Sequence, residues 1–101
     1  MSEAKNDKAK KVNIQIQMDE AIAQGAYVNL AMVNHSETEF TIDFIYVQPQ
    51  QPKAKVRSRI ISSPKHTKRL LQALQDNIDK YEKEHGTIEV KGPLPHENIL
   101  H

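Results

Sequence analysis

The sequence predicts an α+β domain: about four antiparallel β-strands followed by one long C-terminal helix packed on the sheet. Three observations carry this expectation. The N-terminal part alternates apolar and polar residues with period two, the mark of a half-buried strand. Two further strand-length apolar runs are separated by turn-forming residues. After them comes a long stretch with apolar residues at helical spacing, opened by Ser-Pro and closed by Gly.

The elements follow in chain order. Residues 1–11 hold four lysines and no large apolar residue after Met1, and read as a disordered basic tail. They have no apolar core of the kind a secretory leader carries. In 12–18, Val12, Ile14, Ile16 and Met18 alternate with Asn13, Gln15 and Gln17, which predicts a first strand. Asp19–Gly25 breaks the alternation as a helical turn or loop, with Gly25 as its stop. Residues 26–33 are apolar on both faces, as in a central strand. Asn34–Glu37 reads as a turn.

Residues 38–47 set Phe40, Ile42, Phe44 and Tyr46 on one face and Thr41, Asp43, Ile45 and Val47 on the other. Pro49 and Pro52 exclude strand pairing in the loop that follows. Residues 54–61 form a strand with Ala54, Val56 and Ile60 opposite Lys55, Arg57 and Arg59. The helix is expected over 64–85: Ser63 suits the N-cap, Pro64 the first helical position and Gly86 the stop. Leu70, Leu71, Leu74, Ile78 and Tyr81 make its apolar stripe. The single domain thus spans 12–86. Residues 87–101 form a tail in which Ile88–Val90 could add a short strand.

With 101 residues, three Tyr, two Phe and no Trp, the core has to be lean. Small cores are often completed by a second subunit. Both faces of the middle strands carry apolar residues, so one helix cannot cover the sheet. This predicts a homodimer or higher oligomer that uses Ala31, Val33, Ile45 and Val47. The chain has no cysteine, which excludes disulfides and thiolate metal sites and favours the cytoplasm. No apolar run is long enough to cross a membrane.

The charge is segregated. From Lys53 to Arg69 there are seven Lys and Arg and no acid, whereas Val12 to Pro52 holds five acids and no Lys or Arg. The helix opens with Lys65, Lys68 and Arg69, against its own dipole. Each such placement typically costs about 0.3–1 kcal/mol. A basic strand–helix surface of Lys55, Arg57, Arg59, Lys65, His66, Lys68 and Arg69 is therefore the candidate anion or partner site. Its partner could be an acidic surface of a second copy, an acidic protein, nucleic acid or a small anion. Few aromatics and no reading motif weigh against nucleic acid. Solvated charges that keep a sheet edge soluble are the plainest alternative.

Chemistry is sparse. The three glycines lie far apart and form no phosphate loop. His35 and Glu37 would share a strand face, and His96, Glu97 and His101 cluster near the end; either set could bind a metal weakly, but isolated surface histidines are the common case and no metal site is predicted. Ser62 or Ser63 with His66 and Asp43 would be needed for a hydrolytic triad, but Ser63 is accounted for as a cap. His85 suits the negative end of the helix. The expectation is a non-enzymatic binding or adaptor protein without cofactor or metal.

Two blocks carry a resemblance. The first is Tyr27-Val28-Asn29, Ser36 through Phe40 and Asp43-Phe44. The second is Arg59-Ile60, Ser63-Pro64, His66, Lys68, Leu71, Leu74, Asn77, Tyr81-Glu82 and Gly86. Over Tyr27–Gly86 the chain resembles a bacterial family known as domain of unknown function 3467. The resemblance implies a small strand-rich body with a closing helix and assigns no activity. In topology alone the order of elements is similar to SecB-type export chaperones, which implies a rival role: holding unfolded chains on an apolar sheet face.

Overall fold

A computed structural model of the chain describes residues 13–90. The first helix, α1 (Glu20–Ala23), is a single turn. Strands β1 (Leu30–His35), β2 (Phe40–Val47) and β3 (Ala54–Ser62) follow. The long helix α2 (Pro64–His85) ends the described fold. The sheet is antiparallel in the order β1-β2-β3.

Local chemistry sets each boundary. Gly25, at φ 78°, ends α1 by donating its N–H to the Ile22 carbonyl at 3.0 Å. The left-handed backbone there is one that glycine adopts at no steric cost. β1 starts later than its apolar pattern because the Asn29 side chain does the work of a backbone ladder. Its Oδ1 accepts from Val47 N–H at 2.8 Å and its Nδ2 donates to the Val47 carbonyl at 3.1 Å. The hairpin turns at Ser36–Glu39, where the Ser36 hydroxyl accepts the N–H groups of Thr38 and Glu39 at 3.3 and 3.2 Å. That side-chain bond holds the turn two residues later than composition suggested.

α2 has the predicted ends. Ser63 Oγ accepts the His66 N–H at 3.1 Å, and Thr67 Oγ1 donates back to the Ser63 carbonyl at 2.7 Å. Gly86, at φ 95°, donates its N–H to the Glu82 carbonyl.

Two expectations are corrected. The sheet has three strands among the described residues, not four. Asn13–Met18 is irregular and exposed, because alternation makes a strand amphipathic but does not supply the neighbour its backbone needs. Nor is the long helix packed on the sheet. Extensive contacts join only β1 with β2 and β2 with β3. Ser63 alone separates β3 from α2, too short a link to fold the helix back over the strands. Leu71 and Leu74 stay 61% and 53% exposed. Ile88–Val90 forms no strand. The predicted tail 1–11, and residues 91–101 of the predicted tail 87–101, lie outside the described residues.

The registers give each face one apolar row. Val33, Ile42 and Ile60 lie side by side on one face, and Leu30, Ile45 and Val56 on the other. Only the central members, Ile42 and Ile45, are buried, at 6% and 4% exposure. No described helix is long and apolar enough to cross a membrane.

Removing the Ser63 hydroxyl should cost stability. Ser63→Ala is expected to lower unfolding stability by about 1 kcal/mol in urea titrations, and Ser63→Asp to keep it. Equal stability of all three chains would show that the cap contributes nothing.

Candidate functional site

The site begins with a register shift. Phe44 pairs with Ser58 and Ile45 with Val56, so Arg57 is an extra residue on β3, a β-bulge. A one-residue slip exchanges the faces of every residue beyond it. The uninterrupted alternation put Lys55, Arg57 and Arg59 together. The bulge separates them: Lys55 stands opposite Tyr46, while Arg59 stands opposite Asp43 on the other face.

Arg59 is therefore committed within the chain. Its Nε donates to Asp43 Oδ1 at 2.7 Å and its Nη2 to Oδ2 at 2.9 Å. This two-bond fork suits guanidinium and carboxylate geometry. Asp43 is 7% exposed, the one charged residue buried among those described. The hydrogen bonds from Arg59 hold its carboxyl below the ordinary carboxylate range, opposed by partial burial and aided by the Arg59 charge. The same bonds and charge hold the Arg59 guanidinium further up. Both Asp43 oxygens accept from Arg59, and Ser63 Oγ accepts the His66 backbone N–H as a helix cap, so these bonds do not link Ser63, His66 and Asp43 as a triad.

Arg57 goes the other way. Its guanidinium lies over the Tyr46 ring, 5.6 Å from the centroid. Tyr27 meets Tyr46 edge-on, with centroids 6.1 Å apart. Beside them opens a groove of about 880 Å³ at the β2–β3 loop, whose walls include Tyr46, Gln48, Gln51, Lys53, Lys55 and Arg57. Three cations and two amides face it, and no acid among the described residues lines it. Arg57 is exposed, and a guanidinium laid over a ring presents a planar fork that matches a carboxylate.

Lys65, His66, Lys68 and Arg69 are exposed in the first turns of α2, beyond the far end of β3. Residues 58–62 of β3 lie between Arg57 and α2, so roughly 17 Å of strand separates the nearest members of the two clusters. The single basic surface read from the sequence is thus two clusters and one internal ion pair. The four interface residues also divide: Ala31 and Val33 share the face of Phe44 and Ile42, while Ile45 and Val47 lie on the other. His35 stacks on Phe40, with centroids 5.3 Å apart. No cluster of His, Asp and Glu among the described residues could hold a metal ion.

Sequence reasoning missed Tyr46, Tyr27, Gln48, Gln51 and Lys53 as members of the site. Pro49 and Pro52, which force a loop between two strands, were the available signal. They bring the end of β2 and the start of β3 to one place.

The model of a family described as "Protein of unknown function (DUF3467)" matches residues 1–90, and the chain belongs to that family. No curated protein and no solved structure matches it.

The Asp43–Arg59 pair has a pH signature. In the unfolded chain Asp43 titrates near its ordinary value of about 3.9, and in the folded chain lower. The unfolded state therefore takes up the proton first as pH falls. The pair's stabilisation is present above that value and is lost as pH drops through the folded one. The thermal midpoint of the wild type should fall more steeply below about pH 5 than that of Asp43→Asn. Parallel curves for the two chains would show that the pair does not couple to folding.

Proposed function

We propose that this member of the family acts as a non-enzymatic, homo-oligomeric binding protein that takes an acidic protein segment into the groove beside Tyr46. The observation that carries the reading is the groove's lining: Lys53, Lys55 and Arg57 with amide side chains and, among the described residues, no acid. Electrostatic complementarity gives such a surface its choice of partner and its association rate. Arg57 covers the Tyr46 ring and Tyr27 meets its edge, so the tyrosine is poorly placed to stack a base. This favours carboxylates over single-stranded nucleic acid. The reading places the protein in the cytoplasm, the compartment that a cysteine-free small domain suits.

Oligomerisation is supported by what the single chain leaves uncovered. Among the described residues only Ile42 and Ile45 make a buried apolar core. The α2 stripe of Leu70, Leu71, Leu74, Ile78 and Tyr81 is exposed along its length. Helices in water draw most of their stability from packing such a stripe. A second copy supplies apolar surface of the same kind.

Two measurements test the reading. Light scattering should give at least twice the chain mass of 11.5 kDa, and Leu74→Glu should lower that mass and the helical signal together. A monomer mass for the wild type at micromolar concentration would overturn the oligomer. In fluorescence anisotropy a labelled Glu-rich peptide should bind in a salt-sensitive way. The pair Lys55→Glu/Arg57→Glu should weaken it at least about tenfold, or 1.4 kcal/mol. Lys65→Glu/Lys68→Glu should change it far less. The acidic-protein reading fails if the helix pair loses more, or if a single-stranded oligonucleotide binds more tightly at equal salt.

A further inference from the structure

The sheet has two outer edges, and they differ in kind. β3 carries Lys55, Arg57 and Arg59 and a bulge, devices that discourage another strand from pairing. β1, Leu-Ala-Met-Val-Asn-His, has no Lys, Arg, Asp, Glu or Pro, and its pairing with β2 runs without a register shift. Among the described residues its outer row of backbone groups has no partner strand in the sheet. An edge so free of guards invites strand addition.

A matching strand lies unused in the same chain. Residues 13–18 read Asn-Ile-Gln-Ile-Gln-Met, without charge, Gly or Pro. Their length equals that of β1. They form no ladder, and Ile14, Ile16 and Met18 are 78%, 87% and 63% exposed. This is a strand in composition and period that lacks only a neighbour. In the single chain it does not lie on its own β1, although residues 19–29 make a connection long enough to return it. The one-turn α1 and Gly25 occupy that connection and leave the segment off the edge.

We infer that residues 13–18 of one copy add as a fourth strand to the β1 edge of a second copy. Two copies exchange strands reciprocally, as two-fold symmetry requires. Each sheet then gains the fourth strand that the sequence pattern demands. Ile14, Ile16 and Met18 form one row along the added strand and gain apolar neighbours on β1. Main-chain hydrogen bonds supply affinity, and the alternating side chains set the register. The inference rests on the oligomer of the proposed function and is independent of the groove.

The absence of cysteine makes a direct test clean. Gln15→Cys/Asn34→Cys chains carry spin labels at two exposed positions, and pulsed EPR reads the distance between them. The labelled chain is measured alone and after co-refolding with a large excess of unlabelled wild type. The expected result is a short distance in the undiluted sample that disappears on dilution, because it joins two chains. A short distance that survives dilution means that the segment pairs within its own chain, and overturns the proposal. No short distance in either sample overturns it as well. Light scattering on the same samples separates the failures: an oligomer without the short distance defeats strand exchange alone, and a monomer defeats both readings. A Gln15→Pro chain gives a second measure, with an expected loss of oligomer mass and retention of the β1–β3 sheet signal. Unchanged oligomer mass in that chain would also overturn the exchange.

Discussion

Asp43 sits in the middle strand with Met32 beside it on β1 and Arg59 beside it on β3. A carboxylate with so little exposure must be answered by a charge or be protonated. Arg59 answers it with two hydrogen bonds. That requirement ties β2 to β3 at one register, since a slip by one residue would carry Arg59 to the opposite face. The pairing from Phe40–Ser62 to Asp43–Arg59 follows from it, and the bulge then has to fall on the other side of this pair. Arg57 and Lys55 reach the Tyr46 face as a consequence. The ion pair is thus less important for its own energy than for deciding which cations remain available to a partner.

How much of this was legible in the sequence depends on whether the information was local. The α2 boundaries were, because Ser63 and Gly86 act through bonds to residues three or four positions away and Pro64 through its own fixed φ. The hairpin between β1 and β2 was, to within two residues. The bulge was not. Alternation in Lys55–Ile61 describes one strand taken alone, whereas the bulge results from β2 demanding Val56 beside Ile45 and Arg59 beside Asp43 at once. The candidate site failed to assemble as read for the same reason. Seven basic residues close in sequence belong to both faces of a strand and to the helix that follows its end.

The first strand and the packed helix share another cause. The period of 12–18 and the stripe of α2 report correctly that these segments have an apolar side. Neither pattern names what that side meets. A single chain offers residues 13–18 no ladder, and its one-residue junction at Ser63 denies α2 a return to the sheet. Amphipathic patterns specify a need for burial, and connection lengths decide whether the same chain can meet it.

Completion by a second copy also bears on binding. Each chain carries its groove at the β2–β3 loop, while the free edge that exchange would occupy belongs to β1, with β2 between them. Strand addition at β1 therefore leaves the groove open. The proposed two-fold assembly would hold two such grooves, each fixed to a sheet stiffened by the added strand. An acidic partner with two suitable segments would bind the second as an intramolecular step, at an effective concentration set by the spacing between the grooves. Modest single-site attraction from Lys53, Lys55 and Arg57 would then suffice for tight capture by the proposed assembly, provided the partner's own spacing matches. The oligomer and the groove, which rest on separate observations, would in that way serve one function.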